Sequence, residues 1–323
     1  MLYPLKFTPL LKSIIWGGNK ISKYKQIQPE LAGIGESWEI SGVPNNVSVV
    51  ANGELKGKPL SELITSYKER LLGTKVYQQF GETFPLLIKF IDAEQDLSVQ
   101  VHPNDEIAKK RHNSFGKTEM WYIVKAEENA YLYAGLSKEM LPQQFTQSVE
   151  DDSFINYLRK YSVQQGDTFF IPAGCVHAIG SGCFILEIQQ TSDVTYRIYD
   201  YNRKDKDGNS RELHVEEAKD VIDYQSSSEA KVNYPKGKEI ENLVKSDCFV
   251  TNLIEGKQGE VIHLTHDDVF VVYICVEGNV KLTDNKGNTV DIKQGETVLI
   301  PAENTHLITI LPQEKSKLLE TYL

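Results

Sequence analysis

Gln100 and His102 stand two positions apart in an alternating segment, Leu97 to His102, so both side chains project from one face of a strand. Glu119 opens another β-rich run, and His177 follows a tight Pro-Ala-Gly turn that can aim its imidazole. Brought together, these residues would offer one ion two imidazole nitrogens, a carboxylate and a neutral amide oxygen. Nitrogen and oxygen ligands that leave a position open for water or substrate describe a catalytic zinc site, or one for another divalent ion. Taken singly, each histidine reads more simply as a hydrogen-bonded core or surface residue. The Gln/His pair on one face favours the metal, as does a carboxylate heading an aromatic run (Trp121, Tyr122), where it needs a partner.

Basic residues cluster near these ligands along the chain. Lys89 interrupts an apolar run, Phe84 to Asp92, and Lys117 sits two residues before Glu119. Arg197 and Arg203 follow Glu187 by way of Thr191-Ser192-Asp193 and Tyr196. A lysine in an apolar strand usually snorkels or pairs. Beside a metal site, however, a point-charge Lys, a bidentate Arg and the Ser98 hydroxyl would suit a phosphorylated substrate.

The elements that must position these groups read mainly as β. Phe84 to Asp92 has the continuous apolar character of a strand buried on both faces. Met120 to Val124, Thr168 to Ile171, Phe184 to Ile188, Val269 to Val276 and Thr297 to Ile300 add β-rich runs punctuated by Gly, Asn and Pro. Many short strands with such turns indicate a sandwich, jelly roll or small barrel. Helical pattern is minor. Leu60 to Leu72 lies between Pro59 and Gly73 and has a start and a stop, while Val215 to Tyr224 and Lys138 to Lys160 are weaker.

Gln165 to His177 (QGDTFFIPAGCVH) reappears without a gap as Gln294 to His306 (QGETVLIPAENTH). A repeat so widely spaced implies two domains of one architecture rather than a solenoid. The polar stretch Gln225 to Lys238 serves as linker, dividing a catalytic domain, 1–232, from a second domain, 233–323. Sliding Trp121-Tyr122-Ile123 onto Val272-Tyr273-Ile274 places Phe270 opposite Glu119. His306 survives opposite His177, with His263 and His266 upstream, but no carboxylate falls in register. The second domain is therefore expected to be structural, without a complete metal site.

At 323 residues the chain has room for two cores. Its net charge of −10, from 45 acids against 35 bases, argues against nucleic acid as a partner. No apolar run reaches the length of a membrane span and no secretory signal is evident, so the cytoplasm is the default location. Cys175, Cys183, Cys248 and Cys275 are scattered and read as reduced core residues.

LSVQVHP (Leu97 to Pro103), GKTEMWY (Gly116 to Tyr122), PAGCVHAIG (Pro172 to Gly180) and TSDVTYR (Thr191 to Arg197) resemble, in order, the signature blocks of type I mannose-6-phosphate isomerases. Ile15-Trp16-Gly17 and Gly35-Glu36-Ser37-Trp38 resemble that family's N-terminal blocks, and the second repeat agrees with its C-terminal cupin domain. Little room exists between Glu119 and His177 for the inserted helical domain of longer members, so the chain looks like a short bacterial form. Ile179 and the stretch Ile198-Tyr199-Asp200-Tyr201 depart from the longer members' pattern.

The resemblance implies two cupin-type domains and an isomerase that interconverts mannose 6-phosphate and fructose 6-phosphate through a cis-enediol. It implies one zinc ion per chain on Gln100, His102, Glu119 and His177. It places Arg197, Lys117, Glu187 and Asp193 in catalysis and Lys89, Ser98 and Arg203 on the substrate. Lys117, Glu187 and Asp193 are the candidates for proton transfer, and Lys117 would serve as base only in its neutral form. The expected partner is a small sugar phosphate, with neither nucleic acid nor membrane, on a monomer or weak homodimer. Two other readings share parts of this pattern: an iron-dependent cupin oxygenase, and a cupin regulator that binds sugar phosphate without turnover.

Overall fold

The computed structural model describes residues 1–204, 207–225, 229–235 and 237–323. The expected linker, Gln225 to Lys238, therefore falls partly outside the described residues. Among those described, strands dominate and form four antiparallel sheets. The first half builds a six-stranded sheet from Thr168–Ile171, Glu119–Ala126, Cys183–Gln190, Leu86–Ala93, Leu10–Gly18 and Ile34–Ser41, in that spatial order. A five-stranded sheet faces it, ordered Tyr196–Tyr199, Val99–Val101, His177–Ile179, Tyr131–Leu136 and Leu158–Ser162. The second half repeats the plan with a seven-stranded sheet and a four-stranded one. The expectation of a mainly β chain with two related sandwiches agrees with this architecture.

Alternation along the large sheets explains how the halves join. In Glu119–Ala126, Met120, Tyr122 and Val124 pack into the layer between the two halves, whereas Trp121 and Ile123 fill the first barrel. In Val271–Glu277, Val272, Ile274 and Val276 enter that same shared layer, and Val271, Tyr273 and Cys275 fill the second barrel. The two large sheets thus lie back to back, each buried on both faces, as their near-continuous apolar sequences require.

The sheets also cross the sequence division at 232/233. Leu5–Thr8 pairs with Thr297–Ile300, and on its other side with Val49–Val50, so the chain's first strand belongs to the seven-stranded sheet of the second half.

The register of the second barrel corrects the sequence alignment by one residue. Thr168 pairs with Tyr122, and its repeat counterpart Thr297 pairs with Ile274. Glu119 therefore corresponds to Val271, which faces the second barrel's interior, and not to Phe270, which points into the layer between the halves. A one-residue slip exchanges the faces of a strand. The position still carries no carboxylate.

The helix expected over Leu60 to Leu72 is divided. Lys68, at φ 49°, separates Leu60–Tyr67 from Glu69–Leu72, and Thr74–Phe80 follows directly. Of the weaker candidates, only Val215–Lys219 and Pro142–Glu150 are α-helical, and the end of the second region is a strand, Leu158–Ser162. Gly73 joins two of the short helices at φ +94°, and a Cβ added there would lie 2.1 Å from Asp268 O. The neighbouring Thr74 N–H donates to Asp268 Oδ2 at 3.0 Å, fastening this helical corner to the second barrel. Gly73→Ala is expected to destabilise the protein by about 2–4 kcal/mol, combining backbone strain with a clash that no side-chain rotation relieves. Denaturant titration should show the midpoint falling without a change of slope.

Candidate metal centre and active site

Strand register brings the sequence-predicted residues together in two facing rows. Across the five-stranded sheet, Gln100 is the direct partner of His177 on one side and of Arg197 on the other. Across the six-stranded sheet, Glu187 is flanked by Lys89 and Trp121, and Lys89 is flanked in turn by Trp38. Glu119 lies two positions along from Trp121, on the same inward face. His102 caps its strand, where its carbonyl accepts from Gly174 N at 2.9 Å, and Pro103 O accepts from Lys117 N at 3.1 Å. These two bonds hold the segments before Glu119 and His177 against the ligand strand.

The ligand atoms of His102, Glu119 and His177 lie within 4.8 Å of one another, and all three side chains are at most 1% exposed. His102 Nε2 is 3.5 Å from Glu119 Oε2, and His177 Nε2 is 3.4 Å from Glu119 Oε1. Each imidazole has its other nitrogen, Nδ1, against a backbone carbonyl: Val194 O at 3.0 Å for His102 and Cys175 O at 2.9 Å for His177. A carbonyl can only accept, so both Nδ1 atoms carry the proton and both Nε2 atoms are left as acceptors on the side of Glu119, where His102 Nε2 meets Lys117 and His177 Nε2 meets the Gln100 amide. This is the arrangement in which histidine ligates a metal. Both Glu119 oxygens are buried and lack a hydrogen-bond partner among the described residues. An ionised carboxylate in that position requires a cation, and Lys117 Nζ, 3.3 Å from Oε2, stands nearest, leaving Oε1 beside the His177 imidazole. Gln100 lies beside the group, its amide nitrogen 3.2 Å from His177 Nε2 and its amide oxygen accepting from the Ser98 hydroxyl at 3.5 Å.

Protonation states agree with ligation. Burial drives the His177 imidazole down to about 4 and His102 well below its ordinary range, with the Lys117 ammonium adding to the effect on His102. Both rings are therefore neutral near pH 7. Burial and the neighbouring Glu187 carboxylate push Glu119 up to about 7, against the pull of Lys117 and Lys89. Burial also opposes charge on Glu187, but Lys89 and Lys117 outweigh it and hold that carboxyl below its usual range. Two adjacent carboxylates are thus driven apart, one to stay charged and one to surrender its proton to a cation.

Above the cluster opens a cavity of about 160 Å³, lined by Glu36, Lys89, Ser98, Gln100, Lys117, Glu187, Arg197 and Arg211 among others. Lys117 Nζ stands 3.1 Å from His102 Nε2 and 3.3 Å from Glu119 Oε2. Lys89 Nζ is 2.9 Å from Glu187 Oε1 and 3.7 Å from Glu36 Oε1. Arg203 and Arg211 share the Asp200 carboxylate, at 3.0 Å and 2.8 Å. Arg197 donates from Nη1 to Glu212 O at 2.8 Å, while its Nε, like that of Arg203, is buried with no partner among the described residues. Burial, then repulsion from Arg211, lowers the Arg197 guanidinium from its usual range. Two guanidiniums share the Asp200 carboxylate and Arg197 adds a third charge nearby, which leaves the rim with donors to spare.

The structure departs from the sequence expectation at Asp193. That side chain is exposed and outside the cavity lining, because the loop turns inward its next residue, whose carbonyl serves His102. Arg203 reaches the rim through Asp200 rather than lining the cavity itself. Sequence reasoning missed Arg211, Glu36 and Trp121 as members of the site. Glu36 lay inside a recognisable block without an assigned role, whereas Arg211 sits in a polar segment that offers no periodic signal.

In the second barrel, His306 is exposed, His263 meets Thr309, and His266 Nε2 lies 2.9 Å from Glu320. Among the described residues, only the first barrel gathers three ligand-type side chains within range of one ion.

The paired barrels and the buried His–Glu–His cluster define a two-domain cupin with an open polar cavity beside the cluster. Among proteins of known structure it resembles the mannose 6-phosphate isomerase from Bacillus subtilis, matched with a TM-score of 0.88 at 30% identity over the whole of both chains. The apo mannose 6-phosphate isomerase from Salmonella typhimurium gives 0.77 at 16% identity, which shows the shared fold alone. By sequence, the chain is 37% identical to the mannose-6-phosphate isomerase ManA of Bacillus subtilis (strain 168), across 92% of this chain and 93% of that one. It is 43% identical to the mannose-6-phosphate isomerase of Streptococcus mutans, across 69% and 68% of the two chains. Residues 4–141 match the family described as phosphomannose isomerase type I, catalytic domain. The chain belongs to the type I phosphomannose isomerase family, a family of aldose–ketose isomerases.

Proposed function

We propose that this cavity interconverts mannose 6-phosphate and fructose 6-phosphate, with one zinc ion held by Gln100, His102, Glu119 and His177. The observation that carries the reading is the buried cluster of the Glu119 carboxylate and the Nε2 atoms of His102 and His177, all within range of one ion, with Lys117 the nearest cation to Glu119. When bound, the ion supplies a Lewis acid that polarises the substrate carbonyl and steadies negative charge on oxygen, without redox chemistry. Gln100 adds a ligand without adding charge that would weaken that acid.

The remaining steps belong to the chain's own residues. Isomerisation carries a proton between C1 and C2 through a cis-enediol. Lys117 Nζ and the Glu187 carboxylate both face the cavity beside the cluster, and they are the groups placed to move that proton. Arg197 steadies charge developing on the substrate oxygens. Ser98 and Lys89 line the cavity wall and Arg203 and Arg211 its rim, where their N–H and O–H donors suit a phosphate. The division into a catalytic part, 1–232, and a supporting part, 233–323, belongs to the same proposal. So does a cytoplasmic, monomeric or weakly dimeric enzyme.

A coupled assay on mannose 6-phosphate, run before and after chelation and again with zinc restored, tests the proposal directly. Turnover that survives removal of the metal would overturn it, and oxygen uptake with iron would favour an oxygenase instead.

The carboxyl held near 7 predicts the pH dependence of metal binding. Near pH 6, Glu119 must release its proton to ligate, whereas both imidazoles are already neutral and release none. Affinity should therefore rise as pH climbs to about 7 and then flatten. Calorimetry in two buffers of different ionisation enthalpy should count about one proton released per ion near pH 6 and close to none near pH 8. A count near two at the lower pH would mean that a histidine had been charged.

A further inference from the structure

We propose that Trp121 is a positioning residue for isomerisation, its indole N–H fixing the Glu187 carboxylate at the cavity wall. Trp121 is fully buried, and an indole can donate but not accept, so its N–H must find an acceptor indoors. That acceptor is Glu187 Oε2, at 2.9 Å. The other oxygen, Oε1, is 2.9 Å from Lys89 Nζ. With Oε2 hydrogen-bonded to one neighbour across the sheet and Oε1 ion-paired with the other, the carboxylate is held from both sides, and the indole N–H is its directional contact. Without the N–H, Oε2 would be free to turn and the group could follow Lys89.

The second barrel shows the same device apart from the metal. Tyr273 is the counterpart of Trp121 by register, and it faces Glu320 across the ladder as Trp121 faces Glu187. The Tyr273 hydroxyl donates to Glu320 Oε1 at 2.8 Å, and Asn252, in the place of Lys89, donates to Oε2 at 2.8 Å. A buried aromatic donor clamping a carboxylate is thus built into both barrels, whereas the His–Glu–His cluster is found in the first. Holding the carboxylate is a separable task from holding an ion. Trp121 also sets its ring edge-on to His177, at 5.3 Å between centroids, so a role through the metal ligand is the rival account.

This inference rests on the proposed role of Glu187, and its test keeps the two apart. Glu187→Gln, Trp121→Phe and Trp121→Tyr are compared with the wild type in the zinc-loaded enzyme, measuring kcat, KM for mannose 6-phosphate and bound metal. Trp121→Phe keeps a ring but loses the donor. It should lower kcat about tenfold, the weight of one hydrogen bond to a charged group, with KM and metal content near the wild type. Trp121→Tyr, which imports the second barrel's solution, should recover most of that loss. Wild-type kcat in Trp121→Phe overturns the inference, as does equal loss in the Phe and Tyr variants. Loss of metal or of the fold in Trp121→Phe also overturns it, because the residue would then act through His177 or through packing. If Glu187→Gln itself retains wild-type turnover, the reading of Glu187 fails instead.

Discussion

Glu119→Ala is expected to yield a folded protein that holds no divalent ion and does not turn over mannose 6-phosphate above background. Glu119 offers the only carboxylate among the four proposed ligands, and without it the ion would meet two neutral imidazoles and an amide. Loss of an outer partner of a metal ligand alone costs about 10–100-fold in affinity, so loss of the anionic ligand itself should cost more. Elemental analysis after dialysis, together with the coupled assay, reads both effects. Retained zinc with retained turnover would refute the site. The metal-free protein should behave in the opposite way. Burial raises the Glu119 pKa from its unfolded value, so this group favours the fold at low pH and that contribution is lost as pH rises through about 7. Above that pH, the isosteric Glu119→Gln should leave the metal-free fold as stable as wild type or more so, as thermal melts at pH 8 would show. A side chain that opposes the empty fold at working pH and becomes indispensable once a cation arrives is what a ligand, rather than a structural residue, should look like.

The second large effect is expected at Arg197. It lines the cavity, neighbours Gln100 across the ladder, and carries a buried Nε with no partner among the described residues. A donor aimed where negative charge develops stabilises the transition state more than the bound substrate. Arg197→Ala should therefore lower kcat by about 100–1,000-fold, in line with removal of other such donors, while KM moves only a few-fold. Arg197→Lys should recover part of the loss, because it restores the charge but not the planar fork. An unchanged kcat would assign Arg197 to the periphery.

Much of this site was legible because its chemistry is unusual for its surroundings. The Gln100/His102 pair on one strand face, a carboxylate heading an aromatic strand, and a histidine after a Pro-Ala-Gly turn are all visible in sequence, and the structure brings His102, Glu119 and His177 within reach of one ion. The tandem repeat announced two barrels of one plan. What the sequence hid depends on contacts between distant segments. Arg211 enters the rim only because Asp200 holds it, and Trp121 looked like one more core aromatic until its N–H met Glu187. Asp193, next to recognisable residues, proved to face solvent. The helix Asp105–His112 escaped notice because only Ala108 among its residues is buried, leaving no apolar stripe. Its signals were local instead: Asn104 accepts from Ile107 N at the start, and Lys109, Lys110 and Arg111 occupy the last turn. The slip between Phe270 and Val271 shows a further limit. Both residues are apolar and fully buried, so nothing in their type reveals which side of the strand each occupies.

The pairing of Leu5–Thr8 with Thr297–Ile300 has a consequence for biosynthesis. A strand that leaves the ribosome early cannot find its neighbour until almost the whole polypeptide has emerged. Until then its backbone edge stays open to unwanted pairing, and the second barrel remains incomplete. Expression of the isolated 233–323 fragment should consequently give a poorly folded product, whereas supplying the first fifty residues on a separate peptide would offer it the missing edge.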